Sequence, residues 1–170
     1  MEVRILGPLQ VVLDSGQVLD LGDGQSRLVA CLAIACAPVL LDDLARSMSD
    51  DPTRPLGRRA LDLHVAAVQS ALGTTRLRVT DQDAHLELGR GELDANEFER
   101  EASAGLAAYA DADPVAARGL IEAALSRWRG EVFGGNHVPG TSVTVDRLTV
   151  LRKRARQALD DLDKLSLIHI

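Results

Sequence analysis

The segment between Arg58 and Gly73 constrains the fold more strongly than any other part of the chain. Four of its five large apolar side chains recur at steps of four, three and four residues, which is the spacing of one stripe along an α-helix. The stripe consists of Leu61, Val65, Val68 and Leu72. Because Gly73 follows the stripe directly, we predict a helix over residues 58–72 that ends there. One face of this helix is expected to be buried, which leaves the opposite face free to contact a partner.

The face opposite the stripe mixes charged, polar and small side chains. Its members are Arg59, Asp62, Ala66, Gln69 and Ser70, with Arg58, Leu63 and His64 toward its flanks. The order Arg59-x-Leu61-Asp62-Leu63-His64 resembles the recognition helix of the OmpR-type winged helix-turn-helix family. In that family the Arg and His side chains contact phosphates or base edges in the major groove of DNA. The contacts predicted from the helix are Arg58, Arg59, His64 and Gln69.

The second half of this helix departs from the family pattern. Relatives carry further arginines at positions that are Ala66, Ala67 and Gln69 here. Phosphate contacts supply much of the affinity in such complexes, so their loss predicts weaker DNA binding. The net charge of −6 points the same way, because a nucleic-acid binder usually carries a basic face. Residues 1–92 contain nine arginines against thirteen acidic side chains, so this part is not basic either.

The order of predicted elements agrees with a winged helix. We predict strands at 3–6, 9–13 and 18–21, a loop at 22–26, helices at 27–37, 43–48 and 58–72, and a hairpin of strands at 77–80 and 85–88. The short helix is expected to be capped by Asp42. This order resembles the OmpR-type plan, an α+β winged helix-turn-helix with an N-terminal antiparallel sheet.

The N-terminal segment narrows the resemblance. It contains Leu6-Gly7-Pro8-Leu9, then a Gly-x-x-Leu-x-Leu-Gly segment from Gly16 to Gly22, then Gln25-x-Arg27. This combination is similar to the Streptomyces antibiotic regulatory protein (SARP) group, the AfsR-like regulators.

The predicted hairpin would be the wing of such a domain, which in the family reaches toward the minor groove or phosphates. Its tip carries Asp81 and Asp83, which would repel phosphate. Arg76 and Arg78, near the base of the hairpin, are the remaining cations that could contact a DNA backbone.

A second, all-helical unit is predicted from Leu93 onward. Asp94 and Glu97 have the spacing of a capping box, and apolar residues then recur at a helical period as far as about Ala110. Asp113-Pro114 predicts the start of a second helix. After an irregular stretch at 131–144, a third helix is expected around 147–159. Two antiparallel helices joined by a short turn are the unit of tetratricopeptide-like repeats.

This second unit resembles the bacterial transcriptional activator domain that follows the winged helix in the same regulators. The resemblance rests on Leu93-Asp94-x-x-x-Phe98, Gly105, Asp113-Pro114, Ala117, Leu120, Ala123-Ala124-Leu125 and Trp128-Arg129-Gly130. We therefore predict a DNA-binding domain at 1–92 and an incomplete activator domain at 93–164. Residues 165–170 match nothing in the family and are interpreted as a non-native tail, so a truncated gene product is expected.

No pattern of residues in the sequence indicates a catalytic site. The histidines at 64, 85 and 137 lie on separate predicted elements without a partner at triad spacing, and Gly22-Asp23-Gly24 lacks the ending of a phosphate loop. Cys31 and Cys36 lie in an apolar run without zinc-site spacing. We expect no enzyme activity, no cofactor and no metal. Without a long apolar segment or signal peptide, we also expect no membrane association and a cytoplasmic location.

Two further features have a structural and a functional interpretation. Trp128 is predicted to be a packing anchor between helices, with a peptide or ligand site as the alternative. The basic run of Arg147, Arg152, Lys153, Arg154 and Arg156 is predicted to be a solvated face, with contact to DNA or polymerase as the alternative.

The function implied by the resemblance is transcriptional activation. The helix at 58–72 would bind the major groove of promoter direct repeats, and the helical unit would contact RNA polymerase and support a homodimer. The alternative is a degenerate winged helix that acts as a protein-interaction module and no longer binds DNA. The neutral run from Ala66 to Ser70 and the acidic hairpin favour this alternative.

Overall fold

The computed structural model describes residues 1–51 and 53–168, which form an α-rich fold with two small antiparallel sheets. The strands are β1 (Glu2–Arg4), β2 (Gln10–Val12), β3 (Val39–Leu40), β4 (Leu77–Val79) and β5 (Asp83–Leu86). The helices are α1 (Asp23–Ala35), α2 (Leu41–Ser47), α3 (Arg58–Leu72), α4 (Asp94–Ala110), α5 (Pro114–Ser126) and α6 (Ser142–Ile168). A short 3-10 helix lies at Val132–Gly135. None of the helices in this described part is long and apolar enough to span a membrane.

The N-terminal sheet is smaller than predicted. β1 and β2 pair antiparallel, with Val3 opposite Val11, as the predicted N-terminal antiparallel sheet requires. The predicted strand at 18–21 is wrong, because it contributes only a single bridge between Val18 and Val12. The chain enters α1 at Asp23 directly after this segment, which leaves few residues to extend the pairing.

α1 and α2 begin earlier than predicted. Residues 23–26, expected in a loop, form the first turn of α1, and the Gln25 side chain accepts a hydrogen bond from the backbone N–H of Gly22. α1 ends at Ala35 because Cys36 adopts a left-handed conformation with φ of 51°. The predicted cap at Asp42 is wrong, because α2 begins at Leu41 and Asp42 lies inside its first turn. There its carboxylate interacts favourably with the positive end of the helix dipole.

α3 has the predicted bounds, and the predicted stripe is confirmed. Leu61, Val65 and Val68 are buried on the side that packs against α1. The hairpin is also confirmed, with Arg78 opposite His85, although β5 begins at Asp83 rather than at His85. β3 pairs with the other edge of β5, which gives a three-stranded sheet of order β3-β5-β4.

The helical half follows the predicted order. α4 runs from Asp94 to Ala110, and Asp113 caps α5 by accepting a hydrogen bond from the N–H of Ala116 at 3.0 Å. The two helices approach closely where α4 carries Gly105, since a Cβ there would lie 2.7 Å from Cγ1 of Ile121. α6 begins at Ser142, inside the stretch predicted to be irregular, because Thr141 and Val138 close a turn before it.

The last predicted segment is described only in part. α6 continues through Leu165 and Ser166 to Ile168, so the first residues of the predicted tail extend the helix. Residues 169 and 170 lie outside the described residues.

Trp128 is an anchor between helices, as predicted. Its ring meets that of Phe98 edge to face, with centroids 5.2 Å apart and planes at 89°. Phe98 is fully buried, and buried residues of the sheets and of all six helices form one continuous hydrophobic cluster. The two predicted units therefore pack against each other.

The predicted capping box at the start of α4 is wrong. Leu93 is the N-cap, and Asp94 lies inside the first turn without capping its own helix. Its carboxylate instead accepts hydrogen bonds from the backbone N–H groups of Ile5 at 2.8 Å and Leu6 at 3.0 Å. Asp94 is buried, and desolvation raises the pKa of its carboxyl group, against the opposing effect of these hydrogen bonds. Asp94 thus connects α4 to the end of β1.

Candidate nucleic-acid interface

The outer face of α3 is open to solvent. Arg59, Asp62, Ala66 and Ser70 are exposed there, and the Leu63 residue is 66% exposed, which places it near the centre of this face rather than at its flank. The larger apolar side chains on the opposite stripe, Leu61, Val65 and Val68, are buried. The face therefore combines one cation and one carboxylate with small and apolar side chains.

The first turn of α3 presents charge and backbone donors together. Arg58 donates to the carboxylate of Asp62 one turn later, at 2.9 Å, so its charge is partly balanced within the helix. Arg59 points from the exposed face without an ion-pair partner among the described residues. The N-cap, Gly57, has no side chain with which to satisfy the first backbone N–H groups. These donors are free to bind an anion such as a phosphate oxygen.

His64 lies on the side of α3 that faces α1. A Cβ at Gly24 would lie only 2.3 Å from Cε1 of His64, so the imidazole ring occupies the space that a side chain at position 24 would need. The ring is half-buried there. His64 thus packs beside the first turn of α1, apart from the exposed face that carries Arg59.

Gln69 connects α3 to the hairpin. Its side-chain amide donates a hydrogen bond to the backbone oxygen of Leu77 at 2.8 Å. This contact fixes the start of β4 against the end of α3. The predicted role of Gln69 in contacting DNA stays a prediction, but one of its donors is already engaged within the protein.

Arg76 and Arg78 are both paired with acidic side chains of the same protein. Arg76 makes two hydrogen bonds to the carboxylate of Glu92, at 2.7 and 2.9 Å, and Arg78 pairs with Glu87. The Arg76 guanidinium lowers the pKa of Glu92 to about 2, and Glu92 in turn raises the pKa of Arg76. A phosphate would have to compete with these carboxylates for both arginines.

The pair between Arg76 and Glu92 is expected to make stability depend on pH. Because the pKa of Glu92 falls from 4.5 to about 2 on folding, its contribution is complete above pH 4.5 and is lost as the pH falls toward 2. Glu92→Gln should therefore be less stable than the unmodified protein at neutral pH, and this difference should shrink over that window. Urea denaturation at a series of pH values measures it.

Arg76→Gln provides the matched variant, because it removes the same pair from the other side. It should show the same narrowing of the difference at low pH. A loss of stability that stays constant from neutral pH to pH 2 would contradict a titrating pair.

The tip of the hairpin is acidic and internally hydrogen-bonded. The Thr80 hydroxyl donates to a carboxylate oxygen of Asp83 at 2.9 Å and accepts from the backbone N–H of Asp83 at 3.0 Å. Asp81 is exposed beside it. The geometry thus leaves two carboxylates at the end of the hairpin.

One exposed cation near α3 was not predicted from the sequence. Arg54 lies in the loop that leads into α3, and its side chain is 88% exposed, with Asp51 at the 4.0 Å limit of an ion pair. Its position four residues before Arg58, in a Pro-rich loop that leads into the helix, is the sequence feature from which its exposure near α3 could be predicted. With Arg58 and Arg59 it makes the N-terminal end of α3 the most basic part of this surface.

Comparisons with known proteins give a sequence-family match for the helical half and a structural similarity for nearly the whole chain. Residues 93–165 match the family model of the bacterial transcriptional activator domain. No curated protein sequence matches the chain. Among solved structures, Mycobacterium tuberculosis EmbR in complex with a low-affinity phosphopeptide is similar, with a TM-score of 0.67 and 22% sequence identity.

The similarity to EmbR covers 95% of this chain and 42% of the EmbR chain, so this chain spans less than half of that protein's length. At this level of identity the comparison concerns the fold. It includes the N-terminal sheets and helices as well as the helical half. Residues 93–165 therefore match the bacterial transcriptional activator domain, and the chain as a whole shares its fold with part of EmbR.

Proposed function

We propose that the chain is a DNA-binding transcriptional regulator of the AfsR-like, SARP type and not an enzyme. The family match of residues 93–165 and the fold shared with EmbR support a regulator of this type. The observation that carries DNA binding is the outer face of α3, which is exposed while its opposite stripe packs on α1. In this proposal residues 1–92 act as an OmpR-type winged helix.

The proposed contacts concentrate at the N-terminal end of α3. The major groove is about 12 Å wide and admits one α-helix. With α3 in the groove, Arg59 reaches a phosphate or base edge, and the free N–H groups after Gly57 bind a neighbouring phosphate. Arg54 and Arg58 lie beside them. His64, Gln69, Arg76 and Arg78 play a lesser role, because packing or intramolecular partners already engage their side chains.

The centre of the exposed face suits thymine better than guanine. Leu63 and Ala66 offer only apolar contact, and the major-groove feature of a base pair that takes such contact is the thymine methyl group. The operator is therefore proposed to contain direct repeats with thymine at the positions facing these residues. The helical half is proposed to contact RNA polymerase and to support a homodimer.

Arg59→Ala tests this proposal. Loss of one phosphate or base contact is expected to weaken binding to promoter fragments by about tenfold or more and to reduce the slope of log affinity against log salt by about 1. Fluorescence anisotropy with the full chain over a range of salt concentrations measures both quantities.

Arg118→Ala is the matched control for this charge change. Arg118 lies on α5 and pairs with Asp163 at 2.6 Å, away from α3, so its loss should leave DNA affinity unchanged. Equal weakening by the two variants would show that net charge, and not α3, determines binding.

A protein-interaction module remains the second candidate, and specific contacts favour it. Three arginines that could contact DNA form ion pairs with carboxylates of the same protein instead: Arg58, Arg76 and Arg78. The exposed Leu63 could pack against an apolar surface of a partner protein. An electrophoretic mobility-shift experiment on a pool of genomic fragments separates the candidates. If the full chain retards no fragment even at low salt, the DNA-binding proposal is contradicted and the interaction module becomes the favoured function.

A further inference from the structure

A groove lies in the helical half, between the end of α5, the segment 131–141 and the first turns of α6. Its volume is about 530 Å³, which is within the range of small-molecule sites. We call it the Trp128 groove. Its lining residues are Trp128, Glu131, Val132, Gly135, Asn136, His137, Val138, Thr141, Ser142, Val145, Asp146, Thr149 and Arg152.

Two buried polar atoms of the groove lack partners. The indole Nε1 of Trp128 and the Nε of Arg152 have no hydrogen-bond partner within the described chain. Buried donors are nearly always satisfied in folded proteins, so each such atom calls for an explanation. Here the two atoms belong to neighbouring side chains, since Cζ of Arg152 lies 4.2 Å above the centre of the Trp128 ring.

Arg152 is a half-buried cation without an acidic partner among the residues that the structure describes. Burial lowers its pKa, and the nearby charge of Arg156 adds to this effect. Its stacking on Trp128 is a cation–π contact, which offsets part of the free energy that the guanidinium loses with its hydration. Glu131 and Asp146 also line the groove, and both are exposed to solvent. Of the described lining residues, Arg152 is therefore the only charged one that is partly withdrawn from water, although the formal charge of the lining, from one arginine and two carboxylates, is −1.

The wall opposite α6 is held in place by the N-terminal strand. Phe133 adopts a positive φ of 55°, which is strained for a residue with a side chain, and it is buried. Its backbone N–H donates to the oxygen of Ile5 at 3.0 Å, and that of Arg129 donates to the oxygen of Leu6 at 2.7 Å. These contacts shape the groove before any ligand binds.

We propose that the Trp128 groove binds a small organic anion. A carboxylate or phosphate group would accept hydrogen bonds from the Arg152 guanidinium, and a small shift of the lining side chains would bring the enclosed Nε of Arg152 and the indole N–H of Trp128 within its reach. The apolar body of the ligand would pack on Val132, Val138 and Val145. Because Arg presents a planar fork of donors, both kinds of anionic group fit the same site.

Binding is measured with the full chain by isothermal titration calorimetry, and the fluorescence of Trp128, the only tryptophan, gives a second signal. The probes are benzoate for a carboxylate, phenyl phosphate for a phosphate, and benzyl alcohol as the uncharged analogue, all at constant ionic strength. We expect saturable binding of at least one anion and none of the alcohol. The stronger of the two anions identifies the preferred group.

Arg152→Gln should weaken binding of that anion by about tenfold or more, which is the worth of one charge-assisted hydrogen bond. Lys153→Gln removes the same charge from the exposed neighbouring position and should leave affinity unchanged. Circular dichroism verifies that each variant is folded, and Arg152→Lys, which retains the charge, replaces Arg152→Gln if the latter does not fold; it too should bind more weakly. Absence of saturable anion binding, equal binding of benzyl alcohol, or full affinity without Arg152 would overturn the proposal.

Discussion

Asp94→Ala is expected to lower the free energy of unfolding by about 3 kcal/mol, because it orphans two buried backbone donors at once. The N–H groups of Ile5 and Leu6 have the Asp94 carboxylate as their acceptor, at 2.8 and 3.0 Å. An alanine at position 94 offers no acceptor, and the site is buried too deeply for bulk water to replace it. Urea denaturation followed by Trp128 fluorescence measures the loss.

Glu97→Ala distinguishes this account from the capping box that the sequence suggests. Glu97 lies in the same first turn, but its carboxylate pairs with the exposed Arg100 at 2.6 Å, and such pairs contribute less than about 1 kcal/mol. Asp94→Ala should therefore be several times more destabilising than Glu97→Ala. If both variants lowered the free energy of unfolding by similar, small amounts, the result would favour a capping box and contradict the connection between Asp94 and β1.

Asp94 illustrates where reasoning from the sequence succeeds and where it ends. The bounds of α3 follow from apolar periodicity and from the glycines at 57 and 73, and α4 follows from its apolar periodicity, all of which are local. The partners of Asp94 lie almost 90 residues earlier in the chain. No local pattern carries that information, so the sequence predicts only that an acidic residue at a helix start caps its own helix.

The candidate interface shows the same division. The helical spacing placed Arg59 on the exposed face, and the pair between Arg58 and Asp62 has the i, i+4 spacing that a sequence reveals. The positions of His64 and Gln69 depend on Gly24 and Leu77, which reach α3 only through tertiary packing. The number of cations available to DNA is therefore smaller than the sequence predicts, because Arg76 and Arg78 are also paired with carboxylates of the protein.

Phe98→Ala is expected to be more destabilising still, by about 4 kcal/mol. Its ring is fully buried and meets Trp128 edge to face at 5.2 Å, so truncation leaves a cavity and removes an aromatic pair. Tyr109→Ala is the matched control, since Tyr109 lies on the same helix but is 36% exposed. It should cost less than about 1 kcal/mol. Equal losses from the two variants would mean that the ring of Phe98 is not part of the core.

The same variant tests whether the two halves of the chain unfold together. Phe98 lies one turn after Asp94 on α4, so one helix packs on Trp128 in the helical half and holds β1 of the N-terminal half. Loosening it should shift the transition seen by Trp128 fluorescence and the one seen by circular dichroism to the same lower urea concentration. If the circular dichroism signal instead kept a second, unshifted transition, residues 1–92 would fold independently. In that case α4 would stabilise only its own half, and the hydrogen bonds of Asp94 could not contribute the energy assigned to them.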